Sequence, residues 1–70
     1  MNLTNAKLGE KYIVRRIETG DEELDSFLFS LGCYAGEPVT VISRRKSTCV
    51  IAIKDGRYCI DNQLAAVIEI

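Results

Sequence analysis

One short stretch limits the folds open to this chain. Asp21 to Ile42, DEELDSFLFSLGCYAGEPVTVI, reads as a helix, a glycine stop, a tight turn and a strand. Leu24, Phe27, Leu28 and Leu31 fall at i, i+3, i+4 and i+7, the spacing that puts them on one helix face, directed at a core. Asp21, Glu22, Glu23 and Asp25 crowd the first turn, where unpaired backbone N–H groups and the helix dipole favour negative charge. Asp21 is the expected N-cap, and Gly32 sits where a left-handed residue would end the helix. Gly36 and Pro38 mark a turn, after which Val39 and Val41 alternate with Thr40 as a strand does. A lone helix of about ten residues does not hold in water, so this one requires a sheet to lie on.

The rest of the chain supplies that sheet. Met1 to Leu8 is expected to be a weakly ordered lead-in whose Leu3 and Leu8 cap one end of the core. Lys11–Ile17, KYIVRRI, is rich in β-branched and aromatic residues and predicts the first strand, with a register shift at a bulge because its alternation is not clean. Pro38–Ser43 is the second strand and Ser47–Lys54 the third, joined by Arg44, Arg45 and Lys46. Asp55-Gly56 predicts a two-residue type I′ hairpin. That turn would place Lys54 opposite Arg57, Ile53 opposite Tyr58, Ala52 opposite Cys59, Ile51 opposite Ile60 and Val50 opposite Asp61. Ile51, Ile53, Tyr58 and Ile60 then share the core face, and the other face is mixed. Asn62 to Leu64 is a turn or single helical turn, and Ala66–Ile70 is a last strand with Ile68 and Ile70 on one side. Five strands and one helix predict an all-β domain: a small, strongly bent antiparallel sheet that closes into a barrel to remove its edges.

Length and charge narrow the function. The 70 residues make one domain, with a 47% hydrophobic share sufficient to fold without disulfides and to leave apolar surface for a partner. Nine basic and ten acidic residues nearly cancel, and the pI of about 5.3 argues against a dedicated nucleic-acid binder. No apolar run spans a membrane, and the first residues lack a signal-peptide core, so a cytoplasmic location is expected. Cys33, Cys49 and Cys59 are odd in number, lack CxxC spacing and should be free thiols in a reducing compartment. There is no histidine, which excludes a Ser–His–Asp triad and removes the commonest general base. With no phosphate-cradling loop and no paired inward carboxylates, an enzyme is not expected, and there is no catalytic residue to name.

The positions Leu28, Leu31-Gly32, Gly36, Val39-x-Val41, Gly56, Ile60, Ala65 or Ala66, and Ile68-x-Ile70 follow one another in an order that resembles the FeoA family, small cytoplasmic proteins of bacterial ferrous-iron uptake. The match runs from about Leu8 to Ile70. The resemblance implies an SH3-like barrel of about five antiparallel strands. It implies a non-enzymatic accessory role with FeoB, the membrane ferrous-iron transporter whose GTP-binding domain is cytoplasmic. The same module ends some iron-dependent repressors, which supplies an alternative reading as a stand-alone metal-sensing module; this chain is expected to act without their DNA-binding and dimerisation domains. Two segments depart from the family. Phe27 and Phe29 stand where basic helix residues are common, and Arg45-Lys46-Ser47-Thr48 replaces a Gly-Asp-Pro-like segment.

Candidate sites follow from residue chemistry. Asp21, Glu22, Glu23 and Asp25 have the oxygen donors for a hard cation, against the simpler reading of a helix start matched to its dipole. Cys33 and Cys59 have the sulfur donors for Fe²⁺ or another transition metal, but ligand spacing is absent, so no cofactor and no metal site are expected. Arg44, Arg45 and Lys46 form a basic loop suited to phosphate or an acidic partner, or simply to solvent. Phe27 and Phe29 lie about 200° apart on the helix, so Phe29 leaves the core face and comes near Cys33. Phe29, Cys33 and Tyr34 are the expected docking patch for a protein partner. Neither nucleic acid nor membrane insertion is expected, and weak self-association through an exposed strand edge remains open.

Overall fold

The helix ends where its capping chemistry places them. In the computed structural model, which describes residues 1–70, α1 spans Glu22–Ser30. The Asp21 carboxylate accepts the N–H groups of Glu23 at 2.8 Å and Leu24 at 3.3 Å. At the other end Gly32 takes φ +89°, the Gly32 N–H donates to Phe29 C=O at 3.0 Å and the Cys33 N–H to Leu28 C=O at 2.9 Å. That pair of bonds is a Schellman motif, and its usual apolar contact is supplied by buried Leu28 and Cys33.

The expected core face of α1 is narrower than its periodicity. Leu28 is fully buried and Leu31 half-buried, but Leu24 and Phe27 remain 40% and 46% exposed. The expectation that all four face the core is therefore corrected. Asp25 and Phe29 on one flank of α1 border a groove shared with the first strand region, while Leu24 on the other borders a groove shared with Asp61 and Leu64. The helix straddles the core with open ground on both sides, and only the residue at the middle of the stripe projects fully inward.

The strands form two antiparallel sheets. β1 (Lys11–Ile13), β3 (Pro38–Arg44), β4 (Thr48–Ile53) and β5 (Gly56–Asp61) make one, in the order β1-β3-β4-β5; β2 (Arg16–Ile17) and β6 (Ile68–Glu69) make the other. The expected single strand Lys11–Ile17 is thus divided. Lys11 pairs with Thr40 and Ile13 with Pro38, then the chain turns so that Arg16 pairs with Glu69 and Ile17 with Ile68. At the corner the Val14 N–H donates to Glu37 C=O and the Arg15 N–H to Glu69 C=O, and Val14 is buried. The division raises the strand count from five to six, and the register shift falls at Ile42 in β3 rather than in the first strand. These two sheets joined through Lys11–Ile17 are the SH3-like arrangement.

The β4–β5 hairpin corrects a turn assignment. Ile53 pairs with Gly56, Ile51 with Tyr58 and Cys49 with Ile60, so the loop is Lys54-Asp55 rather than Asp55-Gly56. Of its two central residues only Lys54 has positive φ, at 53°, whereas type I′ needs it at both. Gly56 belongs to the strand, and a Cβ there would run into the Tyr58 ring. Every expected pair is wrong by two residues. A shift of two preserves alternation, so Ile51, Ile53, Tyr58 and Ile60 still share the inner face, now with Cys49.

The core consists of fifteen buried side chains, none polar. Its largest members are Leu3, Leu28, the C-terminal Ile68, Ile51 and Ile53 of β4, Val39 and Val41 of β3, and Val14. The first eight residues, expected to be a loose lead-in, contain a 3₁₀ turn over Leu3–Asn5 capped by Asn2. Leu3 and Ala6 are buried there, while Leu8 is 55% exposed. α2 (Asn62–Ala66) is the helical alternative expected at Asn62 to Leu64, extended by two residues; Asp61 caps it by accepting the Leu64 N–H at 2.7 Å, and Ala66 ends this helix rather than opening the last strand. No helix is long and apolar enough to cross a membrane.

Candidate docking site

The end of α1 and the turn after it carry an aromatic pair. Phe29 is 65% exposed, the most exposed large apolar side chain of the protein. Its ring centroid lies 5.0 Å from that of Tyr34, with the planes tilted by 33°. The Schellman turn makes this contact possible, because Gly32 in the left-handed region sends the chain back across the helix end. Contacts of this geometry add about 0.5–1.5 kcal/mol beyond burial, so the two rings favour each other and present one apolar surface.

A cation sits against the same pair. The Lys54 ammonium lies 5.3 Å from the Tyr34 ring centroid and forms an ion pair with Glu37. The Lys54 stem crosses Gly32, and a Cβ at Gly32 would collide with it. Hydrogen bonding to Lys54, with a further bond from Tyr34, holds the Glu37 carboxyl below its usual range. The bond to Glu37, with help from Tyr34, raises the Lys54 ammonium above its own. This cluster links the β4–β5 hairpin to the end of α1. Lys54 itself takes a positive φ, uncommon for lysine, as the first central residue of the two-residue loop. Sequence reading missed Lys54 and Glu37 as members of the site. They are seventeen positions apart, and no local pattern joins them.

Of the expected patch, Phe29 and Tyr34 come together at the surface and Cys33 lies beneath them. Cys33 is 1% exposed, and burial pushes its thiol up to about 11, so it stays neutral at physiological pH. Two shallow clefts flank the pair. One, of about 340 Å³, runs between α1 and β2; the other, of about 460 Å³, lies between the end of α1 and the hairpin.

Arg44, Arg45 and Lys46 lie at the far end of β4 from Lys54 and do not join this surface. The Arg44 guanidinium is half-buried and donates to the C=O groups of Leu3 at 3.1 Å and Ala6 at 2.6 Å, fastening the N-terminal segment to the sheet. Arg45 and Lys46 are exposed. Among the acidic residues at the helix start, Asp21 acts as the cap and Asp25 accepts the Thr19 hydroxyl at 2.6 Å. Cys33 is buried and Cys59 is exposed on β5. No three Cys, Asp or Glu side chains are gathered as a metal-binding group.

Comparison with known proteins adds the family. The sequence model of the FeoA domain matches residues 1–70. No curated protein sequence matches significantly. Among solved structures, the crystal structure of an iron uptake regulatory protein (FeoA) superposes with a TM-score of 0.85 at 25% identity, covering 97% of this chain and 91% of that one. A manganese-dependent transcriptional repressor superposes with a TM-score of 0.84 at 20% identity. It covers all of this chain, which spans 41% of the repressor, and shows likeness of fold alone.

Proposed function

Since the chain belongs to the FeoA domain family, we propose that it is a non-enzymatic accessory protein of bacterial ferrous-iron uptake. In this reading it is cytoplasmic and docks on the cytoplasmic part of the transporter FeoB, whose transport it regulates or whose assembly it assists. The observation that carries this is Phe29, 65% exposed yet stacked on Tyr34 rather than free. A large apolar ring already packed on a neighbour loses less conformational entropy when a partner covers it than a free one would, which suits an interface anchor. The Lys54–Glu37 pair beside it supplies a polar rim. An apolar anchor beside a polar rim is how protein interfaces are commonly built, which supports the docking reading.

The test is calorimetry with the purified cytoplasmic domain of the cognate FeoB, with and without a GTP analogue and Fe²⁺. Saturable binding is expected. Phe29→Ser should weaken it by about tenfold or more, the loss of about 1.4 kcal/mol or more at an interface anchor, while the melting temperature stays close to that of the wild type. Absence of binding in every nucleotide state refutes the docking reading. A thermal shift with Fe²⁺ or Mn²⁺ would then favour the metal-sensing alternative, since a ligand of the native state stabilises it by RT ln(1 + [L]/Kd).

A further inference from the structure

We infer that the cleft between α1 and β2 receives a partner segment carrying a large apolar side chain next to a carboxylate, and that Arg15 reads the carboxylate. The inference rests on the docking reading above and names the chemistry of what docks.

The walls decide the apolar part. Phe29 and Asp25 stand one helical turn apart on the flank of α1 that faces β2. Arg15, Arg16 and Ile17 form the opposite wall, and Tyr34 lines the cleft beside Phe29. The buried thiol of Cys33 contributes no charge to the lining at neutral pH.

The rim decides the charged part. Arg16 is already compensated, by Glu69 at 3.0 Å and Glu18 at 3.3 Å. Asp25 already accepts the Thr19 hydroxyl at 2.6 Å. Arg15 is exposed, and its guanidinium makes no ion pair and no hydrogen bond; only its backbone N–H is engaged, by Glu69 C=O at 2.7 Å. Asp25 keeps its negative charge, since a hydroxyl bond does not neutralise it; Arg15 is the cation of the lining with no carboxylate partner, and it is the side chain best shaped to grip one with two parallel bonds. A basic segment would meet Arg15 as a like charge and would have Asp25, already bonded to the Thr19 hydroxyl, as its one carboxylate in the lining. The mostly apolar lining, and a chain of net charge −1, favour a peptide over a nucleic-acid strand.

Two experiments separate this inference from the docking reading. The first titrates the full chain with acetyl-Glu-Phe-Glu-amide and with acetyl-Lys-Phe-Lys-amide, following backbone amide shifts. The glutamate peptide should move the amides of Arg15, Ile17 and Phe29 and bind about tenfold tighter than the lysine peptide, as charge complementarity requires. Equal binding of the two peptides, no binding of either, or shifts confined to other surfaces overturns the inference. The second measures the transporter's cytoplasmic domain against the wild type, Arg15→Glu and a control at an exposed arginine outside the cleft, Arg57→Glu. Arg15→Glu should lose about tenfold in affinity, and the loss should shrink as salt is raised, while Arg57→Glu stays within about twofold. If the wild type binds and Arg15→Glu binds equally well, the cleft chemistry is wrong and the docking reading survives. If the glutamate peptide fills the cleft but the cytoplasmic domain does not bind, the docking reading is wrong and the cleft serves another acidic partner.

Discussion

Truncating Leu28 to alanine tests whether α1 is held to the body of the protein by one side chain. Leu28 is fully buried, whereas Leu24 and Phe27, on the same stripe by sequence, retain 40% and 46% of their exposure. Removing the three carbons of the isopropyl group at about 0.8 kcal/mol each costs roughly 2.4 kcal/mol in transfer alone. The cavity left behind raises the total to about 2–5 kcal/mol. Leu24→Ala loses only the buried part of the same group and leaves a site that solvent can fill, so its cost is about 1 kcal/mol. A chain of 70 residues at about 0.05–0.15 kcal/mol per residue has roughly 4–10 kcal/mol in hand, so Leu28→Ala removes a large share of it. At about 4–8 °C per kcal/mol for a domain of this size, the melting temperature should fall by at least about 8 °C, and by less for Leu24→Ala. Urea denaturation followed by circular dichroism, with scanning calorimetry beside it, measures both. Costs for the two variants equal to within about 0.5 kcal/mol, the limit to which such effects are usually resolved, would mean that the whole stripe bears the load and the single-anchor account is wrong.

Two further outcomes concern ionisation. The Glu37 carboxyl is lowered by its bond to Lys54, so its contribution is complete above the usual glutamate range and fades as pH falls through the lowered value; the Lys54 ammonium is raised, so its contribution is complete below the usual lysine range and fades as pH rises through the raised value. The melting-temperature difference between wild type and Glu37→Gln should therefore be flat through the middle of the pH range and shrink at both extremes; a difference that does not change with pH would show the pair to be idle. Cys33 and Cys49 are buried with raised thiol pKa values, while Cys59 is exposed. A disulfide reagent at pH 8 should modify one thiol quickly and the other two only on unfolding, and rapid modification of all three would contradict the packing around β4 and the end of α1.

What could be read in the sequence was what local chemistry decides. Asp21 and Gly32 bound the helix because a carboxylate beside free N–H groups and a residue without a Cβ act on their own neighbours. The inner face of the hairpin was legible for the same reason: alternation is a property of each strand alone. The register was not, because the loop residues are set by what Lys54 reaches across the fold and by the ring that Tyr58 lays over Gly56. Periodicity likewise gave the direction of Leu24, Phe27 and Leu28 but not the width of the surface that would meet them. At the candidate site, Phe29 was visible as the aromatic residue off the core stripe, and Tyr34 followed from its nearness in sequence. Arg15 was not visible, since its freedom is evident only once Glu18 and Glu69 are seen to occupy its neighbour.

The pairing of β2 with β6 sets the order in which the cleft is assembled. Arg16 and Glu69 are 53 positions apart, and the Met1 C=O accepts the Ile70 N–H across nearly the full length of the chain. Contacts this remote carry the largest loop-closure entropy, whereas β3, β4 and β5 are joined by tight connections and can form as a meander early. One wall of the cleft is β2, which gains its strand partner only when the last residues arrive. A molecule that has folded its meander but not its ends therefore exposes Phe29 without the opposing arginine wall. Under this order Ile68→Val should speed unfolding and leave the folding rate unchanged, and a slowed folding rate would reverse it. By the same order the cleft between α1 and β2 is the last surface the chain completes, so only molecules that have finished folding present it whole.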